Sequence, residues 1–112
     1  MNRQTLAMII SVGLGIAPSV FAGPQLTAKV TKVGTYGDGR LFVAVDTQIL
    51  EPGCPNARFD VAQGHPQLTN WTAVALSAIA SGKSVSIQTN GCMGAFPTTS
   101  QTTDSFFYLL AN

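Results

Sequence analysis

Charge is what this chain has least of: six Lys or Arg and five Asp or Glu in 112 residues, net +1, with a single His, a single Trp and two Cys. Beyond residue 22 the cations Lys29, Lys32, Arg40, Arg58 and Lys83 are matched by the anions Asp38, Asp46, Glu51, Asp60 and Asp104. Nucleic-acid binding draws on clustered Lys and Arg that displace phosphate counterions, and no such cluster exists. A polybasic membrane patch is excluded on the same ground. Cys54, Cys92 and His65 fall short of the four ligands of a structural zinc site, and the two Cys lie far from the two-residue spacing of a thiol redox motif. The composition implies no metal and no cofactor. A surface rich in Thr, Ser, Gln and Asn suits neutral polar ligands or other protein surfaces.

Little reactive chemistry is encoded either. "ASGKS" at 80–84 ends like a phosphate loop, but the Gly expected five positions before Gly82 is Ser77. The order of elements around it is also inverted, helix first and strand after, so Gly82 reads as a helix stop and Lys83 as a cation at the helix C-terminus. Any Ser or Thr triad would need His65 with Asp46, Asp60 or Asp104, and there is no Gly-x-Ser-x-Gly turn to present a nucleophile. His65 stands before Pro66 and reads as a solvated turn residue. A hydrolase built on it, or on two of the scattered carboxyl groups, is disfavoured, and the chain reads as non-enzymatic.

The N-terminal segment has the pattern of an export leader: Arg3, an uncharged apolar run from Leu6 to Ile16, then Val20-Phe21-Ala22 with small residues at the positions a signal peptidase reads. The expected cut follows Ala22. Pro18, Gly13 and Gly15 interrupt a run that would have to reach about 20 apolar residues to span a bilayer, so no span is expected after cleavage. Residues 23–112 then form one small domain in a secreted or periplasmic compartment. There the two Cys are most simply a disulfide, closing a loop of about 39 residues worth about 4 kcal/mol of chain entropy. Count and compartment leave open whether the bridge is within one chain or between two.

Pattern supplies the fold class. Leu26, Ala28 and Val30 alternate with polar residues and Val33 falls one place out of step, a strand with a bulge near Thr31-Lys32. "GTYGDG" is a turn, and "RLFVAVDTQI" completes a hairpin. "ARFDVA" is a short third strand. From Thr69 the period becomes helical, with Leu68, Trp71, Val74, Ala75, Ala78 and Ile79 inward and Ala73, Ser77 and Ala80 outward; Thr69 or Asn70 would cap its start. "KSVSIQTNG" is a strand with one polar face, "GCMGAFPTTSQTTD" a long loop, and "SFFYLLA" a closing strand covered on both faces. The order β-β-β-α-β-β makes the protein mainly β with one helix, an α+β domain. It fits a small five-stranded OB-like Greek-key barrel, with an open two-layer α+β sandwich as the alternative.

"NWTAVALSAIASGKSVSIQTNGC" resembles the helix-and-strand segment of the B subunits of AB5-type toxins, in the subtilase cytotoxin and pertussis-like branch. The resemblance covers residues 41–110 in element order and some 25 residues in motif detail; it extends to other small exported bacterial proteins. It implies an OB-type barrel, a homo-oligomeric ring such as a pentamer with Ala73, Ser77 and Ala80 at the contacts between neighbouring helices, and recognition of host glycans. Sugars take planar polar groups and an aromatic face. The loops are poor in aromatics, so the ligand-binding candidates are Tyr36, Asp38 and Arg40 on the first hairpin and Thr98, Thr99 and Gln101 in the late loop. The competing reading is a periplasmic protein-interaction or inhibitor module without sugar binding, presenting residues 92–104 to its partner.

Overall fold

The computed structural model describes residues 23–111; the leader expected over residues 1–22 lies outside the described residues. The chain forms β1 (Gln25–Thr35), β2 (Leu41–Ile49), β3 (Asn56–Val61), α1 (Leu68–Ser81), β4 (Ser84–Gln88), β5 (Cys92–Met93), β6 (Phe96–Pro97) and β7 (Phe106–Leu109). Five strands make one antiparallel sheet in the order β3-β2-β1-β4-β7, and β5 and β6 form a separate small hairpin. The protein is therefore mainly β with one helix. Among the described residues β3 and β7 share no ladder. Beside the edge strand β3 stands a single parallel bridge, Asp60 to Thr98.

The bulge expected near Thr31 is present: Val30 pairs with Val45 but Lys32 with Ala44, so Thr31 is the extra residue. The slip turns Val33 to the core side, opposite Val43, and sets Gly34 opposite Phe42 on the outer face. Gly leaves room there for the Phe42 ring, which a Cβ would approach to 2.8 Å and push aside. The turn at 36–40 closes through Tyr36 N–H to Arg40 O and Gly39 N–H to Tyr36 O, with Gly39 at φ +89°.

The core lies between the inner face of the sheet and α1. Leu41, Val43, Phe59, Val61, Val85 and Ile87 are fully buried, and Trp71, Ala75 and Ala78 meet them from the helix. Small residues at 75 and 78 let the helix axis come close to β1 and β7. Phe107 meets Phe59 edge-on at 5.2 Å across the gap between the outer strands. The disulfide forms within the chain, Cys54 to Cys92 with Cα atoms 6.0 Å apart, and ties the β2–β3 connection to the β5–β6 hairpin.

Four expectations are corrected. The helix begins at Leu68, one residue early, with Gln67 at its N-cap and no side-chain cap from Thr69 or Asn70; Pro66 and the backbone bonds of His65 set that start instead. Ile79 is 41% exposed and Leu76 52%, because the helix rests on the sheet over a narrow stripe. Gly82 does stop the helix, at φ +72°, but the cation on its C-terminal carbonyls is Lys29 from β1, whose Nζ donates to Gly82 O at 2.8 Å. The closing strand is not covered on both faces: β7 is an edge strand, and Tyr108 is 47% exposed. The long late loop contains the β5–β6 hairpin, which the sequence pattern did not reveal.

Candidate functional site

A concavity of about 500 Å³ opens where the N-terminus of α1, the 100–105 loop and the edge strand β7 meet. His65, Pro66, Gln67 and Trp71 form one wall, Ser100 to Thr103 and Ser105 the second, and Phe106, Phe107 and Tyr108 the third. None of these side chains is Asp, Glu, Lys or Arg.

His65 organises the site. It is buried, not a solvated turn residue, and both ring nitrogens are engaged. The Gln67 N–H donates to Nδ1 at 3.0 Å, which leaves Nε2 to carry the proton and donate to Ser100 O at 2.8 Å. The imidazole lies 4.8 Å from the Trp71 ring and holds it in place. With Nδ1 and Nε2 both committed to backbone, His65 offers no free base to a bound molecule.

The 100–105 loop is shaped from within by hydroxyl groups. Ser105 Oγ accepts from Ser100 N–H at 2.8 Å, and Ser100 Oγ lies 2.9 Å from Thr102 Oγ1 and 3.1 Å from Ser105 Oγ. Thr102 Oγ1 in turn accepts from Asp104 N–H at 3.2 Å. Short side-chain acceptors of this kind fix loop conformations that no ladder supports. On the facing wall, Asn70 Nδ2 donates to Gln67 Oε1 at 3.0 Å and orients that amide.

Strand alternation puts Phe106 and Tyr108 on the outer face of β7, rings 5.3 Å apart, while Phe107 turns inward. The cavity thus combines an aromatic strip with the amides of Gln67 and Gln101 and several hydroxyls. Of the ligand-binding candidates read from sequence, only Gln101 lies here. Trp71 is a core residue, as its place on the helix predicts, and also lines the cavity, whereas Phe106 and Tyr108, expected on a strand covered on both faces, line it from an edge strand. The signal available was chain order: a last strand has no later strand to pair along its free edge.

The remaining candidates gather on the opposite edge, around Asp60. Its carboxyl group is fully buried and accepts a forked pair from Arg58, Nε to Oδ1 at 2.9 Å and Nη2 to Oδ2 at 3.2 Å, with Arg40 Nη1 3.9 Å from Oδ2. Arg58 lies 3.8 Å above the Phe96 ring and 4.8 Å from Phe42; Arg40 lies 4.3 Å above Tyr36. Thr98 Oγ1 donates to Asp60 O at 2.7 Å, and Thr99 is buried just beyond. Asp38 is exposed at the rim, where it accepts from Arg40 N–H. Tyr36, Arg40 and Thr98 are thus brought together, but into a charge-balanced cluster that seals β3 against the β5–β6 hairpin.

Ala73, Ser77 and Ala80 are exposed on the outer face of α1, a helix without a charged residue, beside Leu76. Among the described residues no group of three or more His, Cys, Asp or Glu is placed to hold a metal ion, and no helix is long and apolar enough to cross a membrane. No family model, no curated protein and no solved structure matches the chain.

Proposed function

We propose that the protein is an exported, non-enzymatic binding module whose cavity between α1 and β7 takes an uncharged polar ligand, with a neutral glycan as the favoured class. One observation carries this reading: the aromatic rings of Phe106 and Tyr108 and the amides of Gln67 and Gln101 line one concavity whose lining has no charged side chain. Apolar walls with a few placed polar groups are the usual build of a small-molecule site, and aromatic faces with planar amides match the C–H faces and hydroxyls of a sugar ring. The committed nitrogens of His65 favour binding over hydrolysis, and a disulfide-stapled domain suits an oxidising compartment.

The OB-type, toxin B-subunit-like reading draws on the strand order, which is what a five-stranded barrel unrolled between its third and last strands would give. In that reading the uncharged outer face of α1, with Ala73, Ser77, Ala80 and Leu76, meets a second copy in a ring. Sedimentation velocity distinguishes a ring from a monomer. The test of the ligand is titration of Trp71 fluorescence with a panel of neutral and acidic oligosaccharides. Saturable binding of a neutral member, weakened tenfold or more by Tyr108→Ala, is expected. A panel without a binder, together with recovery of a protein partner held by residues 92–104, would favour the protein-interaction reading.

A further inference from the structure

Glu51 is a buried charge-bearing residue with no cation paired to it among the described residues. It is 5% exposed, and its side chain accepts a hydrogen bond from the hydroxyl of the fully buried Thr89. A carboxylate held away from water by one neutral donor is costly, and such groups are ordinarily paired. Gly23 lies against it. A Cβ on Gly23 would collide with Thr89 O and stand 2.5 Å from Glu51 Oε1, so no side chain fits at this position. Its carbonyl accepts from the Gln88 side-chain Nε2 at 3.1 Å, which holds Gly23 beside the end of the β1–β4 ladder. Covalent geometry then keeps the nitrogen of Gly23 within about 5 Å of the Glu51 carboxyl oxygen.

We propose that Glu51 is the counter-ion of the N-terminus created when the leader is removed after Ala22, and that cleavage completes the fold through this pair. The inference rests on the export reading and on that cut. Hydrolysis of the Ala22–Gly23 bond by an export peptidase adds one water, leaving a carboxylate on Ala22 and an ammonium on Gly23. Before the cut, the Gly23 nitrogen is a neutral amide with one donor. After it, the same atom is a cation with three donors beside Glu51 and Thr89 O. Glu51 O also accepts from Cys54 N–H at 3.1 Å, so the pair braces the loop that carries the disulfide. The precursor lacks this brace and the mature chain has it, which favours an unfolded chain before export and a closed one after.

The experiment compares thermal unfolding of a chain that begins at Gly23 with a free amine, freed from a fusion partner without extra residues, and the same chain acetylated at Gly23. The free-amine form is expected to melt about 5 to 10 °C higher. Glu51→Gln, which keeps the shape and the bond from Thr89, is expected to lower the free-amine form to the level of the acetylated one and leave the latter little changed. Equal midpoints for the two termini, or an equal loss in both on Glu51→Gln, would overturn the pairing; if Glu51→Gln does not fold, acetylation alone decides. The mass of the exported chain tests the cut separately. A start at Gly23 supports the proposal, and any other start overturns both the pairing and the processing site. A start at Gly23 with equal midpoints overturns the pairing alone.

Discussion

His65 and Ser100 stand 35 positions apart in the chain and are joined by one hydrogen bond, Nε2–H to the main-chain carbonyl at 2.8 Å. Through it the loop that forms one wall of the cavity is anchored to the start of the helix that forms another. The bond from Gln67 N–H to Nδ1 fixes the tautomer, so the ring acts as a rigid strut between two backbone segments.

His65→Ala is therefore expected to act on architecture. Two part-buried backbone hydrogen bonds, to Ser100 O and from Gln67 N–H, are lost and Trp71 loses its ring neighbour, a cost of about 2 to 4 kcal/mol in urea unfolding. Amide exchange should quicken over residues 100–105, and Trp71 emission should shift to the red. His65→Gln retains one donor toward Ser100 and should fall between. Normal stability with a lost hydrolytic activity would instead return His65 to a catalytic role.

Arg58→Ala is expected to be more severe than an ordinary surface change, although Arg58 is itself partly exposed. It strips the fully buried Asp60 of its forked partner and leaves Arg40 at 3.9 Å as the nearest cation. Breaking one side of a buried pair costs about 3 to 5 kcal/mol, whereas removing both charges is often nearly neutral. The double variant Arg58→Met, Asp60→Asn should thus be more stable than Arg58→Ala alone. A loss below about 1 kcal/mol for Arg58→Ala, the range of an exposed pair, would show that water reaches the site.

Local elements were legible from residue pattern because each rests on a short-range rule. The bulge at Thr31 follows from Val33 falling out of step, and the helix stop at Gly82 from the left-handed conformation a Gly accepts. Side-chain environments were less legible. Arg58 and Asp60 look like ordinary outer-face residues of a strand, and only the return of Phe96 and Thr98 across that face buries Asp60 and partly covers Arg58. The cavity joins residues 65–71 to residues 100–108, a meeting that depends on β7 pairing with β4 and on no local pattern. Gly23 next to Glu51 was likewise invisible, since nothing in either segment names the other.

The disulfide joins Cys54 and Cys92 across a sequence separation of 38. Chain entropy alone assigns it about 4 kcal/mol, a large part of the 5 to 15 kcal/mol typical of a domain. Reduction, or Cys54→Ser with Cys92→Ser, is expected to lower the urea midpoint sharply without changing the sheet, as read by circular dichroism below the transition. Cys54 is buried and Cys92 exposed, so a reductant should attack the Cys92 sulfur first. Unchanged midpoints after full reduction would mean that the unfolded chain is already constrained along this loop.

Asp46 gives the chain a defined acid-side response. The Lys29 backbone N–H donates to its Oδ1 at 2.9 Å, next to the bulge, and this bond is the main reason its carboxyl lies below the ordinary aspartate value of 3.8. The Thr47 hydroxyl and the Lys29 charge act in the same direction, while desolvation opposes them. A carboxyl depressed in the folded state adds stability above its unfolded value and loses it as pH falls through the folded one. The contribution should therefore be fully present at neutral pH and disappear only below about pH 4. Carbon-detected NMR titration of the Asp46 carboxyl should give a midpoint under 3.8. Asp46→Asn should flatten that limb of the stability curve and quicken exchange of the Lys29 amide. A midpoint at or above the ordinary value would mean that the Lys29 bond does not form in solution, and the register at the bulge would then have to be held by the neighbouring ladder alone.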